Sequence, residues 1–575
     1  MNRKLRTVIS LLLALCVLLA AAGCKQSNRP DVSSTDAVTS EETGSSEPTV
    51  SEPEPEQTDP IDAVEEPVSE DSFGSEEPMG LGIYSSAELT LLNASVPVQN
   101  DFLGFNAIYH AFTYRSDQMD RVNTERSAKA ELDAVQKSGI HIARTHFDYA
   151  MAWDVHARDW DFESEDMQAF YRWCLELKQR GIEVHLSYWA AFSQLYDQYL
   201  SYDATSNVYK EGSKPSAFYV EGDEEKTLGR FAAFIDSLFQ QLRAKGCTNV
   251  TYLSLSTEPG FVYRQSDTMT AEQVAELYAT EFLKYSNAVS NQLKKSGLRQ
   301  NITIVGPNEG ASTTPEGYMT KAVYQMDTQN AVDLYSSHSY YHGDILSDGY
   351  IYWDNDIKGK LDGFGGGKDR FIYDEYGLIG PTKEQSIQWR GTNAYFGTQL
   401  VLQQIATLNN GLRGSYIWTL ADQQWPDNIT TNNDAFTDGV HYHGILPNYQ
   451  VSNIPHPGFY AFQLMANYVG VSGSKIYGCD TSLADGLGVY ATMSALPDGN
   501  ISIAVVNTNH TAASVKINLQ KAIGRTLYRH EYDPSAVYPT ADAQLIPASA
   551  KLENCSDRFY DVVPAMGVTV YTTVK

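Results

Sequence analysis

The sequence is poor in cysteine, and this limits the kinds of site that it can build. It has six cysteines in 575 residues, none with the CxxC spacing of a zinc site or redox motif. Two of them fall within the first 24 residues, and the rest are Cys174, Cys247, Cys479 and Cys555. The sequence therefore predicts neither a cysteine-based metal site nor a disulfide scaffold. It leaves open one bridge, between Cys479 and Cys555.

Basic residues are absent from residues 31–80, where 16 acidic residues occur. The same stretch is rich in Ser, Thr and Pro, so it cannot bury enough apolar surface to offset the entropy lost on ordering. We expect residues 24–80 to form a disordered, self-repelling tether. Residues 81–575 carry a net charge of −18. This charge argues against nucleic acid or anionic lipid as a partner of the folded part.

Beyond the N-terminus the sequence has no apolar run long enough to cross a bilayer. Residues 1–23 have the pattern of a signal peptide: a basic start, an apolar run and small residues before Cys24. Leu19–Cys24 resembles a bacterial lipobox, which implies cleavage before Cys24 and a lipid on its sulfur. We therefore expect an extracytoplasmic protein that is lipid-anchored to the bacterial membrane or cell surface. Ordinary secretion, with Cys24 unmodified, is the alternative.

Apolar extended runs alternate with helical patterns eight times between residues 101 and 420. The runs cover residues 101–110, 140–148, 182–189, 252–260, 302–309, 332–340, 371–377 and 414–420. This alternation predicts a (β/α)8 barrel, an α/β fold, over residues 81–467. A doubly wound open sheet would show the same alternation, but no GxGxxG or P-loop motif follows an early strand.

The pattern changes near residue 468, where short runs with period two replace helices. The runs at 487–494, 501–507 and 515–519, with a Pro-Asp-Gly-Asn turn at 497–500, predict a β-sandwich over residues 468–575. Residues 81–98 also have a strand-like pattern and are candidates to pair with this sandwich.

Glu258 and Glu375 come at the ends of the fourth and seventh runs. Because active sites of such barrels lie at the carboxyl ends of the strands, we expect the two carboxyl groups to face each other. Paired carboxyls are what cleavage of a glycosidic bond requires. Two acidic neighbours are alternatives: Glu309 on the fifth run, and Asp374, which strand alternation places on the opposite face from Glu375.

Several motifs around these glutamates resemble glycoside hydrolase clan A, whose members are retaining glycosidases on eight-stranded barrels. Thr257-Glu258-Pro259 on the fourth strand and Glu375-Tyr376-Gly377 on the seventh match its two catalytic motifs. His338-Ser339-Tyr340 is similar to the His-x-Tyr of family five, and a following β-sandwich is common in family thirty-nine. The resemblance implies that Glu258 is the acid/base and Glu375 the nucleophile.

The resemblance and the position of polar residues near strand ends also give a set of substrate-binding candidates. They are Arg144, His185, Thr257, Asn308, His338, Tyr340 and Trp418. The clan usually has Asn where this chain has Thr257, a residue with a shorter reach and no amide. The expected substrate is a β-linked oligo- or polysaccharide, cleaved by double displacement without a metal or organic cofactor.

Three other functions fit the same residues. The first is a glycan-binding lipoprotein that is catalytically weak or inactive, and Thr257 favours this alternative. The second is a transglycosidase, and the third is a metal-dependent barrel hydrolase. The first strand offers only His110 as a ligand, so a metal site lacks the His-x-His that such barrels typically place there. For catalysis, burial and the charge of Glu375 are expected to raise the pKa of Glu258, and Arg144 and Tyr340 to keep Glu375 ionised.

Overall fold

The computed structural model describes most of the chain from residue 73 onwards. The described residues are 73–75, 85–111, 125–147, 149–154, 159–188, 199–203, 208–212, 218, 220, 222–259, 269–310, 317–342, 349–379, 394–424, 440–441, 444–447, 449, 452–480, 488–536 and 543–575. The predicted signal peptide and Cys24 lie outside them, as does the predicted tether apart from residues 73–75.

Eight parallel strands form a closed barrel, in which each strand pairs with the next along the chain and the eighth with the first. The strands are Phe105–Ile108, Ile142–Phe147, Glu183–Tyr188, Val250–Ser254, Thr303–Glu309, Leu334–His342, Phe371–Ile379 and Gly414–Ile417. The predicted (β/α)8 barrel is therefore confirmed, and each strand overlaps its predicted run, although the fourth begins two residues earlier and the sixth and seventh end two residues later.

A helix follows each barrel strand. The helices are Glu125–Lys137, Glu165–Gln179, Glu224–Ala244, Ala271–Lys295, Tyr318–Met326, Gly349–Leu361, Tyr395–Asn409 and Pro457–Leu464. Side-chain caps fix several starts: Asp223 accepts from Lys226 N, and Thr270 forms a capping box with Gln273. The helix Gly349–Leu361 was not predicted, because its glycines, aromatic residues and Asp/Asn residues have low helix propensity.

Short elements occupy the loops between these strands and helices. They are the 3-10 turns Tyr149–Ala152, Arg299–Asn301 and Gly365–Arg370, a π-helical turn Met465–Val469, and the strand pairs Trp153–Asp154 with Asp159–Trp160, Tyr199–Asp203 with Val208–Gly212, and Gln423–Gln424 with Val440–His441.

The C-terminal part is a β-sandwich of two sheets. The larger sheet contains Gln99–Phe102, Ser474–Tyr477, Val489–Ala495, Ile501–Asn507, Leu527–Tyr532, Ala550–Leu552 and Val568–Thr572. The smaller one contains Ser85–Leu91, Cys479–Asp480, Ala513–Leu519 and Arg558–Val563. The predicted pairing of the N-terminal segment is confirmed, since Ser85–Leu91 runs parallel to Ala513–Leu519.

The barrel and the sandwich share a hydrophobic core. Every residue from Phe396 to Leu408 is buried, because one side of this helix packs on the barrel and the other on the larger sheet. A second core fills the space between the two sheets. The cysteines Cys174, Cys247, Cys479 and Cys555 are free, so the bridge left open by the sequence is not formed. Within the described part of the chain, none of the helices combines the length and apolar character of a membrane span.

Candidate active site

Arg144 is a fully buried charged residue inside the barrel. It lies on the second strand, and its side chain is 0% exposed. Its Nη1 donates to Glu375 Oε2 at 2.9 Å, and its Nη2 donates to Asn308 Oδ1 at 2.7 Å and to Ser187 Oγ at 3.2 Å. A guanidinium withdrawn from water requires such a ring of acceptors. Arg144 therefore ties the nucleophile candidate to the third and fifth strands.

Glu375 receives a second hydrogen bond from the Tyr340 hydroxyl on the neighbouring sixth strand. Together with the Arg144 ion pair, this bond holds the Glu375 carboxyl group in one orientation. The side chain of Glu375 is only 6% exposed, so water competes little for these bonds.

The expectation that Asp374 and Glu375 lie on opposite faces is wrong. The register between the sixth and seventh strands shifts here: Ser337 pairs with Tyr373, and His338 pairs with Glu375, so Asp374 is the extra residue of a bulge. Asp374 Oδ1 lies 3.6 Å from His338 Nε2, and Glu375 Oε2 lies 3.7 Å from His338 Nδ1. Both carboxyl groups therefore face the same imidazole, and burial raises the pKa of Asp374.

Glu258 stands four residues beyond the end of the fourth strand, with its backbone at φ 46°. Its N–H donates to Asn308 O at 3.0 Å, which holds this sparsely populated conformation. Gly310 leaves room for the side chain, because a Cβ there would lie 2.6 Å from Glu258 Cγ and Oε1. The backbone and one glycine therefore aim the Glu258 carboxyl at the centre of the barrel mouth.

Burial raises the pKa of Glu258 to about 7, and Arg144 only partly opposes this rise. The predicted rise is confirmed, and burial, one of its two predicted causes, is the largest influence on this pKa. At 27% exposure the Glu258 side chain is still reached by solvent. Glu258 is thus an accessible carboxyl that retains its proton near neutral pH.

His338 lies between the two glutamates. Its Nδ1 is 3.0 Å from Glu258 Oε1, and its Nε2 is 3.2 Å from Asn308 Oδ1. The ring is fully buried, and burial lowers its pKa. One oxygen from each of Glu258 and Glu375 and one His338 nitrogen lie within 4.8 Å of one another.

These three groups are near enough to hold a metal ion, but their charges suit one poorly. Arg144 already neutralises Glu375, and Glu258 retains a proton at neutral pH. A divalent cation needs deprotonated ligands and an uncompensated negative charge. The cluster is better suited to holding a proton on Glu258, next to the His338 ring.

Trp418 follows the eighth strand, and its ring packs near two histidines, one just after the first strand and one on the second. Its ring centroid lies 5.5 Å from that of His110 and 6.1 Å from that of His146. The two imidazoles stack on each other at 5.1 Å. These two histidines are not among the predicted site residues, although both come near the ends of apolar runs, which was the available signal.

The other predicted residues lie at different depths. Thr257 is partly exposed and shares a 3.0 Å hydrogen bond with Ser187 Oγ. His185 lies apart from the glutamates: its Nε2 is 2.7 Å from Ser254 Oγ, and its ring packs near Tyr252 and Tyr416 in the barrel interior. Burial lowers the pKa of His185.

Glu309, the alternative catalytic residue, faces away from this cluster. Its carboxyl group accepts from Met319 N at 3.1 Å and from Thr320 N at 2.9 Å, at the start of the helix Tyr318–Met326. Because these bonds use the free N–H groups of the helix, Glu309 is a structural helix cap.

Comparison with known proteins identifies the fold. No family model matches the sequence, and no curated protein is similar to it in sequence. Among solved structures, a GH30 endoxylanase from Clostridium papyrosolvens is similar over 85% of this chain and 100% of its own, with a TM-score of 0.54 and 13% identity. A GH51 arabinofuranosidase from Xanthomonas axonopodis pv. citri is similar over 85% of this chain and 99% of its own, with a TM-score of 0.53 and 11% identity. An endo-β1,6-glucanase is similar over 86% of this chain and 96% of its own, with a TM-score of 0.54 and 13% identity. The chain therefore has the barrel-and-sandwich architecture of these glycoside hydrolases.

Proposed function

We propose that this protein is a retaining glycoside hydrolase that cleaves a β-linked oligo- or polysaccharide by double displacement. The observation that carries the proposal is the approach of a Glu258 oxygen to within 4.8 Å of a Glu375 oxygen. Retaining enzymes place their carboxyl groups about 5–5.5 Å apart, whereas inverting enzymes leave about 6.5–9.5 Å for a water molecule. The close pair favours direct attack by one carboxylate.

In the first step, Glu375 attacks the anomeric carbon and Glu258 gives its proton to the departing glycosidic oxygen. The bond from carbon to that oxygen breaks as the bond to Glu375 forms. Arg144 and Tyr340 each donate a hydrogen bond to Glu375 and orient its carboxyl group for attack. The raised pKa of Glu258 supplies the acid near neutral pH.

In the second step, the ionised Glu258 takes a proton from water, whose oxygen attacks the anomeric carbon and releases Glu375. The acid of the first step is thereby regenerated, and the anomeric configuration is retained. We assign Trp418, with His110 and His146 beside it, to the wall of the sugar site, where aromatic faces pack against the C–H faces of a sugar. Thr257, at the mouth, stays a candidate for hydroxyl contact.

A panel of chromogenic β-glycosides and β-linked polysaccharides tests this function. We expect turnover of at least one member, with a product that first forms as the β-anomer, as proton NMR of the fresh reaction would detect. First release of the α-anomer would contradict double displacement. Saturable binding without turnover would instead favour the glycan-binding alternative, which the sequence raised because of Thr257.

We also propose that the protein is anchored outside the cytoplasm by a lipid on Cys24. The support is the lipobox-like sequence and the acidic stretch that follows it, both of which lie outside the described residues. Growth of a producing bacterium with an alkyne fatty acid should label the wild-type protein, and Cys24→Ala should lose both the label and membrane association. Equal labelling of the two proteins would contradict the anchor.

A further inference from the structure

Asn308 is a fully buried residue that contacts the partners of both glutamates. It is the last residue but one of the fifth strand and has the left-handed conformation, at φ 62°, which asparagine tolerates better than most residues. Its Oδ1 accepts from Arg144 Nη2 at 2.7 Å and lies 3.2 Å from His338 Nε2. Among the residues that the structure describes, its Nδ2 has no hydrogen-bond partner.

These contacts fix the direction of each hydrogen bond. A guanidinium only donates, so the oxygen of the Asn308 amide must face Arg144. That oxygen only accepts, so His338 must carry its hydrogen on Nε2 to bond with it. A neutral imidazole carries one hydrogen, which leaves Nδ1 as an acceptor. Since Nδ1 lies 3.0 Å from Glu258 Oε1, Glu258 must supply the proton of that bond.

The charged groups around His338 have opposing effects on its pKa. Glu375 and Asp374 favour the imidazolium, whereas Arg144 and Lys360, whose Nζ donates to His338 O at 2.8 Å, oppose it. Burial is the largest influence, and it lowers the pKa of His338. The neutral ring on which the donor argument depends is therefore the stable form near neutral pH.

We propose that Asn308 is a positioning residue that holds His338 in the Nε2–H tautomer and thereby keeps the proton of the resting enzyme on Glu258. This role rests on the proposed function, and it differs from the direct sugar contact predicted for Asn308 from its sequence position. When Glu258 gives its proton to the leaving oxygen, the new carboxylate faces a lone pair of His338 instead of a donor. The carboxylate is then a stronger base for the water of the second step.

The substitution Asn308→Asp tests the proposal. An added carboxylate beside Nε2 favours the imidazolium, which donates from Nδ1 and favours ionised Glu258. With a poor leaving group, we expect the basic limb of kcat/KM against pH to move down by about one unit or more, which is a loss of about tenfold at pH 7. With a dinitrophenyl leaving group, which needs no acid, kcat/KM at pH 7 should fall much less than with the poor leaving group.

Asn106→Asp is the matched control. Asn106 is also a fully buried barrel asparagine, and its Oδ1 accepts from His141 N and Ile142 N at 3.1 and 2.8 Å, away from the glutamates. This variant should lower stability and leave the basic limb unmoved. An unmoved limb in Asn308→Asp, an equal loss with both leaving groups, or the same shift in both variants would overturn the proposal.

The tautomer can also be measured in the wild-type protein, which keeps the proposal testable if the variant does not fold. In protein labelled with ¹⁵N-histidine, the signals that disappear in His338→Asn belong to His338, one of 12 histidines. We expect the shifts of a neutral ring with hydrogen on Nε2 below pH 7. An Nδ1–H tautomer or an imidazolium would overturn the proposal. If no glycoside is cleaved, the proposed function fails while this measurement still decides the role of Asn308.

Discussion

Arg144 in the barrel and Arg529 in the sandwich are both buried arginines paired with carboxylates, but their surroundings differ. Arg529 Nε donates to Asp561 Oδ2 at 2.7 Å, and its other nitrogens donate to Glu531, to Ser549 Oγ and to the Val562 carbonyl. Tyr571 and the N–H of Val562 donate further bonds to Asp561. The sandwich network is therefore fully hydrogen-bonded.

The network around Arg144 in the barrel, by contrast, is not fully hydrogen-bonded among the described residues. Within the described part of the chain, Arg144 Nε and Asn308 Nδ2 lack hydrogen-bond partners. Glu258 carries a proton that it can give away, and its side chain is reached by solvent. A network that only stabilises a fold can satisfy every donor, whereas a catalytic one must hold groups that change protonation and partner during the reaction. Substitutions in the two networks should therefore separate activity from stability.

The largest effect is expected from Glu375→Gln. This change keeps the shape of the side chain but removes the nucleophile, so kcat should fall by more than about 10⁴-fold.

Glu258→Gln should lower kcat by about 10²–10⁴-fold on substrates with poor leaving groups. Thermal unfolding of both variants should stay close to that of the wild type. Full activity of either variant on a substrate of the wild type would contradict the assigned roles.

Arg529→Met should have the opposite effect, lowering stability without lowering activity. Removing the guanidinium leaves the buried Asp561 and the half-buried Glu531 without their cation, so the free energy of unfolding should fall by about 3–5 kcal/mol. Activity per folded molecule should be unchanged. Arg558→Met, at an exposed arginine of the same sandwich, is the control and should cost less than about 0.5 kcal/mol. A large fall in kcat at constant folded fraction would show that the sandwich network serves catalysis.

Gly310→Ala should disturb the site with little effect on the fold. The new methyl group would lie 2.6 Å from the Glu258 side chain, which must move. A displacement of about 1 Å can cost about 10²-fold in rate, so we expect kcat to fall by about 10–100-fold. Gly359→Ala, where no atom lies within 4 Å of the added carbon, is the control and should keep wild-type activity. Equal kcat values for the two variants would show that Glu258 tolerates the shift.

The smallest effect is expected from pH. Burial raises the pKa of Glu258 to about 7, so its protonated form predominates below that pH and is lost above it. For substrates with poor leaving groups, kcat/KM should fall about tenfold for each unit above pH 7. Glu258→Gln has no proton to lose there and should lack this limb. A wild-type profile that is flat from about pH 6 to 9 would contradict Glu258 as the acid.

The sequence predicts the elements with strong periodic signals and misses those that depend on local backbone geometry. The eight barrel strands are apolar runs covered on both faces, so their pattern alone identifies them. Glu258 and Glu375 can be found because short motifs mark them at strand ends. The helix Gly349–Leu361 lacks a strong propensity signal, and packing against the barrel stabilises it instead.

The error at Asp374 comes from irregular strand register. A bulge turns Asp374 towards His338, and a second register shift accompanies the left-handed Asn308. Alternation of side chains holds only for a regular strand, so a pattern in the sequence cannot reveal these reversals. His146 was missed for a related reason, because nothing in a single sequence shows that its ring stacks on His110.

Covalent trapping of the nucleophile tests the central claim most directly. A 2-deoxy-2-fluoro glycosyl fluoride of the sugar that the protein cleaves slows release of the glycosyl-enzyme, so the intermediate accumulates. Peptide mass spectrometry should then find one glycosyl group per protein, attached to Glu375 within the segment Phe371–Ile379. Attachment to Asp374 or Glu309, or turnover of the parent substrate without any trapped adduct, would contradict the account.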